Sequence, residues 1–119
     1  MNKDKVTNTK NKPKPKCPLI YAVDIIGGKW RLPILWYIYA KKTVRYGELK
    51  KSLESITNTV LIRCLKELEE NNLIIRKQYT EVPPRVEYSL TERGKALLPT
   101  LNELSAWGED QIKFNEENE

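Results

Sequence analysis

Histidine is absent from this 119-residue chain, and cysteine occurs only twice. The first absence excludes most. Without imidazole the chain has neither the commonest general base nor the commonest metal ligand, which removes most catalytic triads and zinc sites. Cys17 and Cys64 cannot build a disulfide framework, and so sparse a use of cysteine points to a reducing compartment. No apolar run approaches membrane-spanning length, and the charged N-terminus has no hydrophobic stretch behind it to make a signal peptide. No pair of carboxylates on a rigid element stands out as an acid and base. The expectation is a cytoplasmic protein with no membrane partner, no metal and no cofactor, and an enzyme is the weakest reading.

The charge that is present is unevenly placed. Residues 1–16 hold six lysines and one aspartate, a net of +5, which is the formal charge of the whole chain. With only Val6 among its apolar side chains that segment cannot offset the entropy of ordering, and it reads as a disordered basic arm. From Lys29 to Lys77 the balance is 11 basic to 5 acidic, and from Thr91 onward 3 to 7. Such a molecule is dipolar, and its positive part favours a polyanion. The length suits one domain, 17–115, with a frayed acidic tail over 116–119.

Within the positive part, Tyr46, Leu49 and Leu53 recur at helical spacing. Leu61, Leu65 and Leu68 do so again, with Val60 and Cys64 beside them. Thr57 suits an N-cap, its hydroxyl accepting from an unpaired backbone N–H of the second helix. Two short helices with about three residues between them must cross steeply to bury both stripes, which is a helix-turn-helix. The second helix keeps Asn58, Thr59, Ile62, Arg63 and Lys66 off its leucine stripe. No acidic residue falls between Thr57 and Lys66, whereas Glu67, Glu69 and Glu70 crowd the far end. A helix entering the major groove by its N-terminal half needs this polarity, with Arg and Asn available for base edges. The plainer alternative is a solvated face that contacts nothing.

The flanks complete the architecture. Pro18 favours a first helical position, making Cys17 the N-cap of an apolar helix through about Ile26. Gly27-Gly28 ends it, and a second helix runs from Lys29 to Ala40, with Pro33 tolerated only near its start. Gly-Gly-Lys here follows no strand and lacks the spacing of a phosphate loop. Thr43-Val44-Arg45 reads as a very short strand. Ile74–Tyr79 and Arg85–Leu90 alternate as strands around Thr80-Glu81-Val82-Pro83-Pro84, which cannot continue a ladder. A hairpin directly after a helix-turn-helix predicts a mainly α winged helix, with Arg76, Lys77 and Arg85 giving the wing positive charge for DNA. Thr91 caps a last helix, expected to bend at Pro99. Its apolar residues exceed what a small domain can cover. We therefore expect a homodimer through the terminal helices, with Ile20, Val23, Leu101, Leu104, Trp107 and Ile112 at the interface.

Cys17-Pro18, Ile26-Gly27-Gly28-Lys29-Trp30, Arg45-Tyr46-Gly47-Glu48-Leu49, Leu65-Lys66-Glu67-Leu68-Glu69 and the block from Glu81 to Thr91 together carry a family likeness. Over about residues 17–110 the chain resembles the HxlR family of bacterial winged-helix regulators, related to the MarR type. The resemblance implies a homodimer bound to double-stranded DNA through the second helix and the wing, at a near-palindromic operator. It also implies redox or electrophile sensing by the cysteine near the N-terminus, with an oxidant or a small-molecule effector as signal. The residues around Cys17 agree, since a helix N-terminus with Lys14 and Lys16 nearby favours a thiolate, while Cys64 falls on an inward face. The expected function is a sequence-specific transcriptional regulator acting as a repressor. A winged-helix module that binds protein instead of DNA is the alternative, and the acid-free start beside Arg63 and Lys66 weighs against it.

Overall fold

A computed structural model describes residues 17–119, so the arm expected over 1–16 lies outside the described residues. Helix α1 spans Pro18–Ile26, with proline in its first turn, and stops where the Gly27 N–H bonds Val23 O at 2.7 Å. Gly28 follows with φ of 87°, a conformation that favours glycine. Helix α2, Arg31–Lys41, accommodates Pro33 because the first turn has no internal acceptor to lose. It contributes Ile34, Leu35 and Ile38 to the core.

Strand β1, Thr43–Arg45, runs straight into helix α3, Tyr46–Ser52. There the Glu48 carboxylate accepts the Arg45 N–H at 2.8 Å and satisfies a donor that the helix start leaves unpaired. Helix α4, Asn58–Glu70, begins as expected at Thr57, whose hydroxyl accepts from Val60 N–H at 3.2 Å. Leu49, Leu53 and Ile56 from one side meet Leu61, Leu65 and Leu68 from the other, and all six are buried. Strands β2, Ile74–Tyr79, and β3, Arg85–Leu90, form the antiparallel hairpin. The Thr43–Arg45 strand pairs with the far side of β3, so the sheet has three strands in the order β1-β3-β2.

The C-terminal segment departs from expectation. In place of one helix bent at Pro99 there are two: α5, Glu92–Lys95, and α6, Leu98–Glu117. Pro99 lies in the first turn of α6, where it breaks no bond. The helix continues through Glu117, two residues into the 116–119 segment expected to fray. Thr91 ties the junction together. It caps α5 through Gly94 N–H at 3.0 Å, and its hydroxyl also donates to Asn72 O at 2.6 Å. A Cβ at Gly94 would stand 2.2 Å from Leu73 O, which is backbone and cannot step aside. Gly94→Ala should therefore lower stability by about 1–3 kcal/mol, the usual range for overpacking. A urea titration checks this, and an unchanged midpoint would mean that α5 shifts freely.

The core binds α2, α3, α4 and the sheet, with Leu101 the one buried residue of α6. Leu101 is therefore corrected from interface to core: it is 5% exposed within a single protomer. Helix α1 buries no residue, and only Ile25 and Ile26 near its C-terminal end pack against the core.

Candidate nucleic-acid interface

Helix α4 divides its faces cleanly. Leu61, Cys64, Leu65 and Leu68 are buried, while Thr57, Asn58, Thr59, Ile62, Arg63 and Lys66 are exposed. All six side chains expected to read DNA from this helix thus share its solvent side. At its first residue, the Tyr46 hydroxyl of α3 donates to Asn58 Oδ1. That contact was not foreseen, because Tyr46 entered the sequence reading only as an apolar position of its stripe.

The glutamates at the far end do not act alike. Glu69 and Glu70 are exposed, but Glu67 is 4% exposed and turned inward. Its Oε1 accepts from Arg31 Nε at 2.9 Å and from Nη2 at 2.7 Å. The remaining Arg31 nitrogen, Nη1, donates to Asp24 O at 3.1 Å and reaches Ile25 O and Gly27 O at 3.5 Å. One guanidinium therefore holds the C-terminal end of α1 and the C-terminal part of α4 together. Arg63 Nε lies 3.9 Å from the other Glu67 oxygen, a loose contact that leaves Arg63 more than half exposed.

On the wing, Arg76 and Lys77 are exposed along β2. Arg85 needs correction as a free DNA-facing charge. It starts β3 opposite Tyr79, its guanidinium is 3.9 Å from that ring, and its Nη atoms lie 2.8 Å from Glu81 and from Glu87. Two carboxylates offset its charge, and the side chain is 24% exposed. The wing's available cations are thus on β2. Between α4 and the wing lies a cleft of about 460 Å³ lined by Ile62, Leu65, Lys66, Glu69, Arg76 and Tyr88.

Away from this face, Ile20, Val23, Leu104, Trp107 and Ile112 are all at least half exposed. Leu19 on α1 and Phe114 on α6 are exposed as well. Cys17 is exposed ahead of α1, and its side chain makes no capping bond. Cys64 is buried; burial, then the nearby Glu67 charge, raises its pKa above the usual thiol value, against opposing pulls from Arg31 and Arg63. Among the described residues no group of acidic or cysteine side chains could hold a metal, and no helix is long and apolar enough to cross a membrane.

The family described as HxlR-like helix-turn-helix matches residues 25–116. MalR of Fusobacterium mortiferum is 48% identical over 99 residues, covering 83% of this chain and 93% of its own. YdzF of Bacillus subtilis, named as an HTH-type transcriptional regulator, is 43% identical over 93 residues, 78% of this chain and 85% of its own. Among solved structures, the redox regulator HypR in its reduced form aligns with a TM-score of 0.79 at 36% identity, covering 85% of this chain and 99% of HypR. Its oxidised form aligns at 0.75 and 38%, covering 79% and 96%. A helix pair, a charged hairpin after it and a match over most of the chain agree: this protein belongs to the HxlR-like helix-turn-helix family of transcriptional regulators.

Proposed function

We propose that the chain acts as a homodimeric repressor, placing two copies of α4 in the major groove of a near-palindromic operator. One observation carries the DNA reading: every polar or cationic side chain in the first nine residues of α4 is solvent-facing, and none is acidic. Thr57, Asn58, Thr59, Ile62, Arg63 and Lys66 face the bases and their flanking phosphates, and Arg76 and Lys77 follow the backbone from the wing. Two-fold symmetry sets the two α4 helices about 34 Å apart, one turn of DNA. The apolar surfaces of α1 and α6 support the dimer, because the described residues leave Ile20, Val23, Leu104, Trp107 and Ile112 at least half exposed.

Footprinting on the DNA upstream of the chain's own gene tests this reading, and protection of a single half-site would contradict it. Arg63→Ala should weaken specific binding by about 1–3 kcal/mol if its guanidinium meets a base edge. Lys77→Ala should weaken all sequences alike and reduce the salt slope by about 1, while Arg85→Ala should leave that slope almost unchanged. Gel shifts at several salt concentrations separate the three. Equal affinity in Arg63→Ala removes that residue from the reading set.

An oxidant or electrophile acting at Cys17 is the proposed signal. Cys17 is exposed at the head of an apolar helix, and HypR, similar over most of the chain, is a redox regulator. Modification there would add bulk or a covalent link at the base of the interfacial helix and misplace both copies of α4. Diamide should release the wild type from DNA and leave Cys17→Ser bound. Native protein should take up one equivalent of iodoacetamide at Cys17 and a second, at Cys64, only in denaturant. Release of Cys17→Ser by diamide as readily as wild type would place the switch elsewhere.

A further inference from the structure

Asparagine reads adenine by offering both ends of its amide at once, Oδ1 to the N6 amine and Nδ2 to N7. The oxygen end of the Asn58 amide is already engaged and held toward α3. Its Oδ1 accepts from the Tyr46 hydroxyl, across the gap between the first residue of α3 and the first residue of α4. Both backbones are pinned at those points, α3 by the Arg45–Glu48 bond and α4 by the Thr57 cap. The Tyr46 ring is half-buried and packed against the core, so its hydroxyl is a fixed post. Burial, then the neighbouring Tyr88, raises the pKa of that phenol.

We propose that Tyr46 is a specificity-determining positioning residue: by holding Oδ1 of Asn58 toward α3, it turns the amide into a donor directed at the groove. A donor alone selects base edges that carry acceptors, O6 and N7 of guanine or O4 of thymine. Adenine sets its own amine beside N7 and is disfavoured. The inference deepens the reading of α4 as a base-contacting helix and rests on it.

The test is selection of bound duplexes from a random pool by the full chain, followed by sequencing. Wild type, Tyr46→Phe, Asn58→Ala and the double variant are compared, with circular dichroism confirming that each is folded. Wild type should show guanine or thymine at one position of each half-site. Tyr46→Phe keeps the ring and frees Oδ1, so adenine at that position should gain about fivefold or more. Asn58→Ala should lose the preference there, and adding Tyr46→Phe to it should change nothing further. If Asn58→Ala loses the preference but Tyr46→Phe keeps it, Asn58 reads unaided and the proposal is overturned while the α4 reading stands. A further shift in the double variant also overturns it, since Tyr46 would then act through another group. If Asn58→Ala leaves every position unchanged, Asn58 reads no base and the proposal is overturned, while the wider α4 reading is decided by Arg63→Ala.

Discussion

Glu67→Ala should lower folding stability by about 3–5 kcal/mol, the range for removing one partner of a buried ion pair. The substitution leaves Arg31, itself only 22% exposed, charged and without the carboxylate that receives two of its nitrogens. Arg63, 3.9 Å from the other carboxylate oxygen and more than half exposed, loses little by the same change. For a domain of about this size, calorimetry should read a melting point at least about 12 °C lower. Arg31→Met with Glu67→Leu, which replaces both charges by apolar groups of similar length, should recover most of the loss. A loss under about 1 kcal/mol in Glu67→Ala would reduce the pair to the standing of a surface contact.

The second large effect falls on binding. Trp107→Glu puts a carboxylate into the apolar face of α6 and should give a folded monomer, because Trp107 is 63% exposed and contributes nothing to the protomer's core. Losing one of two linked grips on the operator should weaken binding by about two orders of magnitude or more. Sedimentation and operator titration measure the two consequences separately. A variant that remains dimeric with full affinity would move the interface off this face, and a wild type sedimenting as a monomer at micromolar concentration would remove the interface.

What could be read in the sequence was whatever local chemistry decides. Thr57 and Thr91 cap their helices because a hydroxyl reaches an N–H two or three residues on, a relation contained in a short window. The helix pair and the hairpin follow from periodicity in the same way. Failures arose where distant residues decide. Glu67 stands in the sequence beside Glu69 and Glu70 at the far end of the helix, and its partner is 36 positions away. The helical wheel did hold a signal: Glu67 lies beside Cys64 and outside the arc occupied by Ile62, Lys66, Glu69 and Glu70. Arg85 reads as free charge in the sequence, and the fold sets Glu81 and Glu87, four and two places away, against its guanidinium. Leu101 reads as an interface residue because the leucine stripe of α6 does not say where the protomer's own core stops.

The bareness of α1 bears on the order of assembly. Nine residues are fewer than the roughly 12–15 an isolated helix needs in water. One side of its first two turns, with Leu19, Ile20 and Val23, is left more than half exposed by the described residues. Such a segment belongs to the least protected part of the native ensemble, and its amide exchange is governed by opening that leaves the core intact. If a second copy covers it, its helicity becomes a function of protein concentration, and the subunits join by folding a segment as they dock. Cys17, at the head of that segment, would then meet oxidants in one setting on a dilute, newly made chain and in another on the assembled pair.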